Sequence, residues 1–103
     1  MATSPGRKNH MNLHQRVVIS DQVISQEVMN ETVLLDVQSE CYFGLDAVGT
    51  RIWQLIRDSG ELLTIYNTLL EEYEVDETRL RTDLEALITE ASARGLITLA
   101  DAT

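Results

Sequence analysis

The sequence predicts an α+β domain in which a small antiparallel sheet is followed by three helices. Between residues 16 and 45, apolar and β-branched residues occur in short runs, and after residue 45 the hydrophobic period changes from two to about 3.6. The chain has 103 residues, of which 44% are hydrophobic, and this is enough for one compact core but not for two. We therefore expect one domain at 16–99, preceded by a flexible basic tail at 1–15 and followed by a short tail at 100–103.

Four short runs predict the strands, and they lie at 17–19, 26–29, 32–37 and 41–45. Asn30-Glu31 separates two of these runs and residues 38–40 separate the next two, and both lengths suit hairpin loops. Two such loops join three strands, so the runs predict a three-stranded antiparallel meander.

Apolar residues at helical spacing predict the first two helices. Asp46 is suited to cap the first helix, which we expect to end near residue 57. Its predicted buried stripe consists of Val48, Ile52, Trp53, Leu55 and Ile56. The second helix is expected at about 61–73, also with one broad apolar face.

The third helix has the clearest signals at both ends. Asp76 is suited to cap its start, and Gly95 suits the left-handed position after its end. Its buried stripe is predicted to be Leu80, Leu84, Leu87, Ile88 and Ala91. Residues 96–99 then form a short extended exit. A small sheet with three helices, the last two joined by a tight turn, is the winged helix-turn-helix plan.

The charge is distributed unevenly along the chain. The total is −9, but residues 1–16 hold three basic and no acidic side chains, so residues 17–103 hold five basic and seventeen acidic ones. A domain of charge −12 repels nucleic-acid phosphates and attracts cationic partners, although acidity also serves solubility alone. The predicted third helix contains two basic residues, Arg79 and Arg81, and five acidic ones, so its net charge is negative. We therefore expect no nucleic-acid partner, and DNA binding by the helix-turn-helix remains the rival hypothesis.

The residue types that carry catalysis and metal binding are scarce. Cys41 is the single cysteine, and the two histidines, His10 and His14, lie in the predicted tail. This set cannot form the common structural zinc sites, and it gives the thiol no base. We expect no enzyme activity, no metal and no cofactor. Neither a spanning apolar run nor a signal peptide is present, so we expect a cytoplasmic protein without a membrane partner.

Tyr42 and Phe43 are adjacent in the last predicted strand, so their side chains point to opposite faces of the sheet. One aromatic ring is then left near the surface, beside the unpaired backbone groups of an edge strand. Such an edge can accept an extended peptide as an additional strand. The alternative is an ordinary hairpin with a partly exposed aromatic side chain.

Five short motifs in a fixed order resemble the PqqD-like family, the peptide-recognition modules also called RiPP recognition elements. They are Thr32-Val33-Leu34-Leu35-Asp36, Cys41-Tyr42-Phe43-Gly44-Leu45-Asp46, Gly49-Thr50-Arg51-Ile52-Trp53-Gln54-Leu55-Ile56, Glu72-Tyr73-Glu74-Val75 and Arg94-Gly95-Leu96-Ile97. Two departures are visible: Asp46 replaces the usual Asn, and Asn30-Glu31 stands where a glycine-containing turn is common. The resemblance covers about residues 17–99.

The resemblance implies a catalytically inert adaptor that binds the leader of a ribosomally made precursor peptide. The leader would add as a strand beside the last strand of the sheet, in a groove walled by the third helix. The implied site residues are Glu40, Cys41, Tyr42, Phe43, Gly44, Leu45, Arg79, Leu80, Asp83, Leu84, Leu87 and Ile88. Acidic residues at the groove rim would favour basic leader flanks.

The resemblance also implies an enzyme partner. The chain is most similar to the discrete recognition proteins of lasso-peptide clusters, where the partner is a cysteine-protease-like leader peptidase. The alternative is a radical-SAM enzyme of quinone cofactor synthesis, served by a PqqD-type chaperone.

Overall fold

A computed structural model describes residues 13–74 and 76–101 and confirms the α+β architecture. Its elements are β1 (Gln15–Ile19), β2 (Val23–Val28), β3 (Glu31–Asp36), β4 (Cys41–Leu45), α1 (Ala47–Asp58), α2 (Leu62–Glu72), α3 (Glu77–Ala93) and β5 (Ile97–Asp101). Residues 1–12 and 102–103 of the predicted tails, and Val75 of the fourth motif, lie outside the described residues.

The strands of the described residues form two antiparallel sheets. The predicted three-stranded sheet is present, in the order β2-β3-β4, but the first predicted run is not next to it. That run is β1, and it pairs with β5, from Gln15 opposite Asp101 to Ile19 opposite Ile97. The predicted exit is therefore a strand, and it continues two residues beyond the predicted domain end at 99. The sequence did not predict this pairing, because β1 and β5 lie far apart along the chain and local patterns do not indicate long-range partners.

The hairpin between β2 and β3 differs from the prediction by one residue. Met29 and Asn30 form its two-residue loop, since Val28 is paired with Glu31. Met29 takes the positive φ of 59° that such a turn requires, a conformation more common for glycine. β2 also begins at residue 23, whereas the sequence predicted a start at residue 26. The earlier start was missed because the outward residues of β2 include apolar side chains, so the alternation in the sequence is weak.

The loop between β3 and β4 is held by Asp36. Its carboxylate accepts hydrogen bonds from the backbone N–H of Gln38 at 3.1 Å and from the Ser39 hydroxyl at 2.9 Å. Its backbone carbonyl accepts from the N–H of Glu40, which has a φ of +60°. Asp36, the last residue of the first motif, thus sets where β4 starts.

The predicted cap of α1 is confirmed, and one residue of its predicted stripe is not buried. The Asp46 side chain accepts a hydrogen bond from the N–H of Gly49 at 2.8 Å. Ile52, Trp53 and their neighbours are buried as expected, but Val48 is 38% exposed. Val48 is the second helical residue, where the first turn of α1 extends past the core.

The predicted signals at both ends of α3 are confirmed. Asp76 accepts from the N–H of Arg79 at 3.2 Å. At the other end Gly95 has a φ of +78°, its N–H donates to the carbonyl of Ser92, and the N–H of Leu96 donates to that of Ala91 at 2.9 Å. This pair of bonds satisfies two helix-end carbonyls and turns the chain toward β5.

The helices cover one face of the three-stranded sheet, the inner face. Leu34 of β3 is fully buried there among apolar residues of all three helices, including Trp53, Leu69 and Leu84. A buried hydrogen bond of 2.9 Å joins the hydroxyls of Thr32 in β3 and Thr50 in α1. It fixes the position of α1 along the sheet, since sliding the helix would leave both hydroxyls unpaired.

Arg51 joins α1 to the end of α2. Its Nε and Nη2 donate to the two carboxylate oxygens of Glu72 at 2.8 and 2.5 Å. These charge-assisted hydrogen bonds lower the pKa of Glu72 and raise that of Arg51.

We expect Thr50→Val to lower the free energy of unfolding by about 1–3 kcal/mol, because the hydroxyl of Thr32 stays buried without its partner. The double variant with Thr32→Val should lose much less than the sum of the two single variants, since both polar groups are then gone. Urea denaturation of all four proteins measures this coupling. Additive losses would contradict a structural role for this hydrogen bond.

We expect Glu72→Gln to lower the free energy of unfolding by at most about 1 kcal/mol at neutral pH, because the pair is partly exposed. The pKa of Glu72 is lowered by folding, so its contribution is present above the ordinary carboxyl pKa of 4.5. It is lost as the pH falls through the lowered pKa. Denaturation of the wild type and of Glu72→Gln across this pH range measures the difference between their free energies of unfolding.

Glu71→Gln is the matched control, because it removes one negative charge from the same helix without touching the bond to Arg51. An equal loss in both variants, or a loss independent of pH, would contradict the role given to Glu72.

Candidate peptide-binding site

β4 is an edge strand of the three-stranded sheet. It pairs with β3 on one side, and no strand of the described residues pairs with its other side. The N–H of Val37 donates to the carbonyl of Gln22 at 2.8 Å, so the odd-numbered residues of β3 direct their backbone groups toward β2. The even-numbered residues, among them Leu34, therefore direct theirs toward β4.

This alternation determines which backbone groups of β4 are free. Leu34 is paired with Phe43, and Thr32 with Leu45, so Phe43 and Leu45 bond to β3. Tyr42 and Gly44 then direct their N–H and C=O groups to the open edge. In an antiparallel ladder these are the groups that an added strand would bond.

The side chains of β4 follow the predicted alternation. Phe43 is half-buried and Leu45 is buried on the inner face, whereas Tyr42 is 70% exposed on the opposite face. The prediction that the two aromatic rings point to opposite faces is confirmed.

A groove of about 570 Å³ runs between the open edge of β4 and α3. Phe43, Gly44 and Leu45 form its β4 side. The remaining lining residues come from the start of α1 and from α3, and they are Asp46, Val48, Gly49, Ile52, Arg79, Asp83, Ala86, Leu87 and Glu90. The groove thus combines an apolar floor with an unpaired backbone edge.

The groove lining is acidic. It contains three carboxylates, those of Asp46, Asp83 and Glu90, and one guanidinium, that of Arg79. The Nε atom of Arg79 lies 3.9 Å from the Oδ2 atom of Asp83. This long contact is largely exposed, so it leaves the carboxylate accessible. The potential in the groove therefore favours cationic side chains.

Arg94 holds the Phe43 ring in place at the groove. Its guanidinium carbon lies 5.0 Å from the ring centroid, and its Nη2 donates to Glu90 at 3.1 Å. The cation–π contact adds to the packing of this half-buried ring against the core, and the ion pair to Glu90 positions the guanidinium. Phe43 presents an apolar surface to the groove.

The implied site residues fall into three groups. Phe43, Gly44, Leu45, Arg79, Asp83 and Leu87 line the groove. Leu80, Leu84 and Ile88 are buried in the core behind it. Glu40, Cys41 and Tyr42 lie along the edge strand or its preceding turn without lining the groove.

Six lining residues were not predicted from the sequence. Ala86 and Glu90 lie on the same side of α3 as Arg79 and Asp83, and a helical stripe drawn from residue 79 instead of 80 would have found them. Asp46, Val48, Gly49 and Ile52 cap α1 or lie in its first half. The sequence presented Asp46 as a cap, Val48 and Ile52 as core residues, and Gly49 only as part of a motif.

Cys41, the single cysteine of the chain, is exposed at the start of β4. The Cys41 thiol is 3.7 Å from the Ser39 carbonyl oxygen, which cannot act as its base. Among residues 13–74 and 76–101, no three metal-ligating side chains are grouped closely enough to hold a metal ion. Within the same ranges, no helix has both the length and the apolar composition for a membrane span.

Known proteins match both the sequence and the fold. The family model described as Coenzyme PQQ synthesis protein D (PqqD) matches residues 31–97. The structure of TbiB1 in complex with the TbiA(beta) leader peptide has 38% sequence identity, covers 78% of this chain and 93% of that chain, and has a TM-score of 0.74.

A second solved structure, lasso peptide synthetase B1 complexed with the leader peptide, has 25% identity, covers 81% of this chain and 98% of that chain, and has a TM-score of 0.72. No curated protein matches the sequence. Because the family model covers more than half of the residues, the chain belongs to the PqqD family.

Proposed function

We propose that this protein is an adaptor that binds the leader of a ribosomally synthesised precursor peptide and delivers it to a leader peptidase. The single observation that carries the proposal is the open edge of β4 beside a groove that has an apolar floor and an acidic lining. The free backbone groups of Tyr42 and Gly44 supply hydrogen bonds that do not depend on peptide sequence. The groove between β4 and α3 supplies selectivity for side chains.

The similar solved structures support this assignment. Both are B1 proteins bound to a leader peptide, and the one with 38% identity covers 78% of the chain. The acidic lining predicts that leaders with basic residues beside their apolar anchors bind best, and that salt weakens binding.

The adaptor is proposed to be non-catalytic, because its thiol lies beside a backbone carbonyl rather than beside a base. We also place its action in the cytoplasm, where ribosomally made precursors arise.

The alternative role, a chaperone for a radical-SAM enzyme in quinone cofactor synthesis, has the description of the family model in its favour. The similarity to the two B1 structures favours the leader-peptidase role instead. Both structures hold leader peptides, and one of them is named lasso peptide synthetase B1.

We expect Val48→Asn to weaken leader binding by about tenfold, because a bound peptide would desolvate the amide without offering it a fixed partner. The probe is the leader of the precursor encoded beside this gene, and calorimetry measures its dissociation constant. The substitution keeps the net charge and lies at an exposed position, so folding should be retained.

Leu63→Asn is the matched control. Leu63 is the second residue of α2, as Val48 is of α1, and the two are 42% and 38% exposed. We expect it to bind the leader as the wild type does. Equal affinities for all three proteins would place the peptide elsewhere, and no binding by the wild type would remove the adaptor function.

A further inference from the structure

The three-stranded sheet has a second open edge, along β2. In the part of the chain that the structure describes, β2 pairs with β3 on one side and with no strand on the other. Because the odd-numbered residues of β3 bond to β2, their even-numbered partners in β2 use their backbone groups within the sheet. Ser25 and Glu27 therefore direct their N–H and C=O groups to the open edge. The N–H of Val23 is already bonded to the carbonyl of Ser20 at 3.2 Å.

Backbone groups alone do not distinguish the two edges. Tyr42 and Gly44 offer their N–H and C=O groups along β4, and Ser25 and Glu27 offer the same number along β2. Hydrogen bonds to such groups do not depend on side chains, so a peptide that adds to one edge could add to the other. The difference between the edges must therefore come from the side chains beside them.

A charged cluster occupies the inner face beside β2. Glu27 lies on that face, because it is paired with Thr32, whose hydroxyl is buried there. The Glu27 carboxylate accepts hydrogen bonds from Nε2 of Gln54 at 3.1 Å and from Nη2 of Arg57 at 3.4 Å. We define Glu27, Gln54 and Arg57 as the β2 cluster.

One face of α1 places this cluster. Thr50, Gln54 and Arg57 follow at i, i+4 and i+7, so they lie on the same side of the helix. Thr50 bonds to Thr32, and the two later residues bond to Glu27, the cross-strand partner of Thr32. The second half of α1 therefore reaches β2, whereas beside β4 the groove separates the sheet from α3.

A strand added to β2 would cover the β2 cluster. Its inward side chains would lie about 5 Å from those of Ser25 and Glu27. The side chains of Arg57 and Glu27 are 50% and 30% exposed, so the added strand would remove water from both charges. That desolvation is costly, and the long contact between the two charges recovers little of it. Tyr42 and Gly44, at the β4 edge, carry no charge.

We propose that the β2 cluster closes the β2 edge to strand addition and thereby directs the leader to β4. This inference rests on the proposed adaptor function. Glu27 and Arg57 act on the choice of edge without touching the bound leader. The adaptor consequently takes one leader per chain, always beside the groove and α3, and does not pair with a second copy through β2.

The test is the double variant Glu27→Val with Arg57→Leu, which removes both charges and keeps the net charge. Thermal unfolding checks its fold. Glu27→Gln with Arg57→Gln, which keeps polar groups at both positions, replaces it should the first variant not fold.

The matched control is Arg16→Leu with Glu61→Val. It removes an ion pair of 3.2 Å whose side chains are 45% and 47% exposed, and it also keeps the net charge. This pair lies beside β1, where the N–H of Val17 is already bonded to the carbonyl of Gly60. Its loss therefore opens no strand edge.

Amide hydrogen exchange at Ser25 is the main readout, with and without saturating leader and at two protein concentrations. Calorimetry counts the leaders bound per chain, and the probe is the leader of the precursor encoded beside this gene. We expect the double variant to slow exchange at Ser25 by at least about tenfold, because its N–H becomes bonded. Slowing that requires leader indicates a second peptide, and slowing that rises with protein concentration indicates a second copy. Both are strand addition to β2.

The wild type and the control should keep exchange at Ser25 within about twofold and bind one leader per chain. Unchanged exchange at Ser25 in the double variant, the same slowing in the control, or leader-dependent slowing in the wild type would overturn the inference and leave the adaptor function intact. Absence of leader binding by the wild type would instead remove the adaptor function, and this inference with it.

Discussion

The contact between the first turn of α1 and the three-stranded sheet determines where the groove and its walls lie. A Cβ at Gly49 would lie 3.3 Å from both Leu45 and the Asp46 carboxylate, so glycine allows the helix to start directly against β4. One residue later, Thr50 makes its buried hydrogen bond to Thr32. Together these contacts hold α1 across β3 and leave the edge of β4 uncovered.

The groove follows from this placement. Because α1 begins two residues after β4 ends, its first turn forms part of the groove floor, and the covered inner face supports Phe43 from below. α3 then forms the opposite wall, with Leu80, Leu84 and Ile88 in the core and Asp83 and Leu87 facing the groove. An open edge would ordinarily invite aggregation, but here it lies beside an acidic wall.

Local patterns predicted what depends on local interactions. The caps at Asp46 and Asp76, the turn at Gly95 and the opposite orientations of Tyr42 and Phe43 are all set by residues close in sequence. Their physical causes, capping hydrogen bonds and the pleat of a strand, can be seen in the sequence itself.

Long-range pairing and surface apolar residues were the features that local patterns missed. Nothing near Gln15 indicates a partner strand ending at Asp101, and outward apolar residues such as Ile24 hid the start of β2. Val48 looked like a core residue for the same reason: periodicity identifies an apolar stripe but not whether another element covers it.

Amide hydrogen exchange of the free and leader-bound protein tests whether a leader peptide adds as a strand to β4. In the free protein the N–H groups of Tyr42 and Gly44 face solvent, whereas those of Phe43 and Leu45 are bonded within the sheet. We expect saturating leader to slow exchange at Tyr42 and Gly44 by at least about tenfold, because both N–H groups become bonded. Unchanged exchange at both residues in the saturated complex would contradict strand addition.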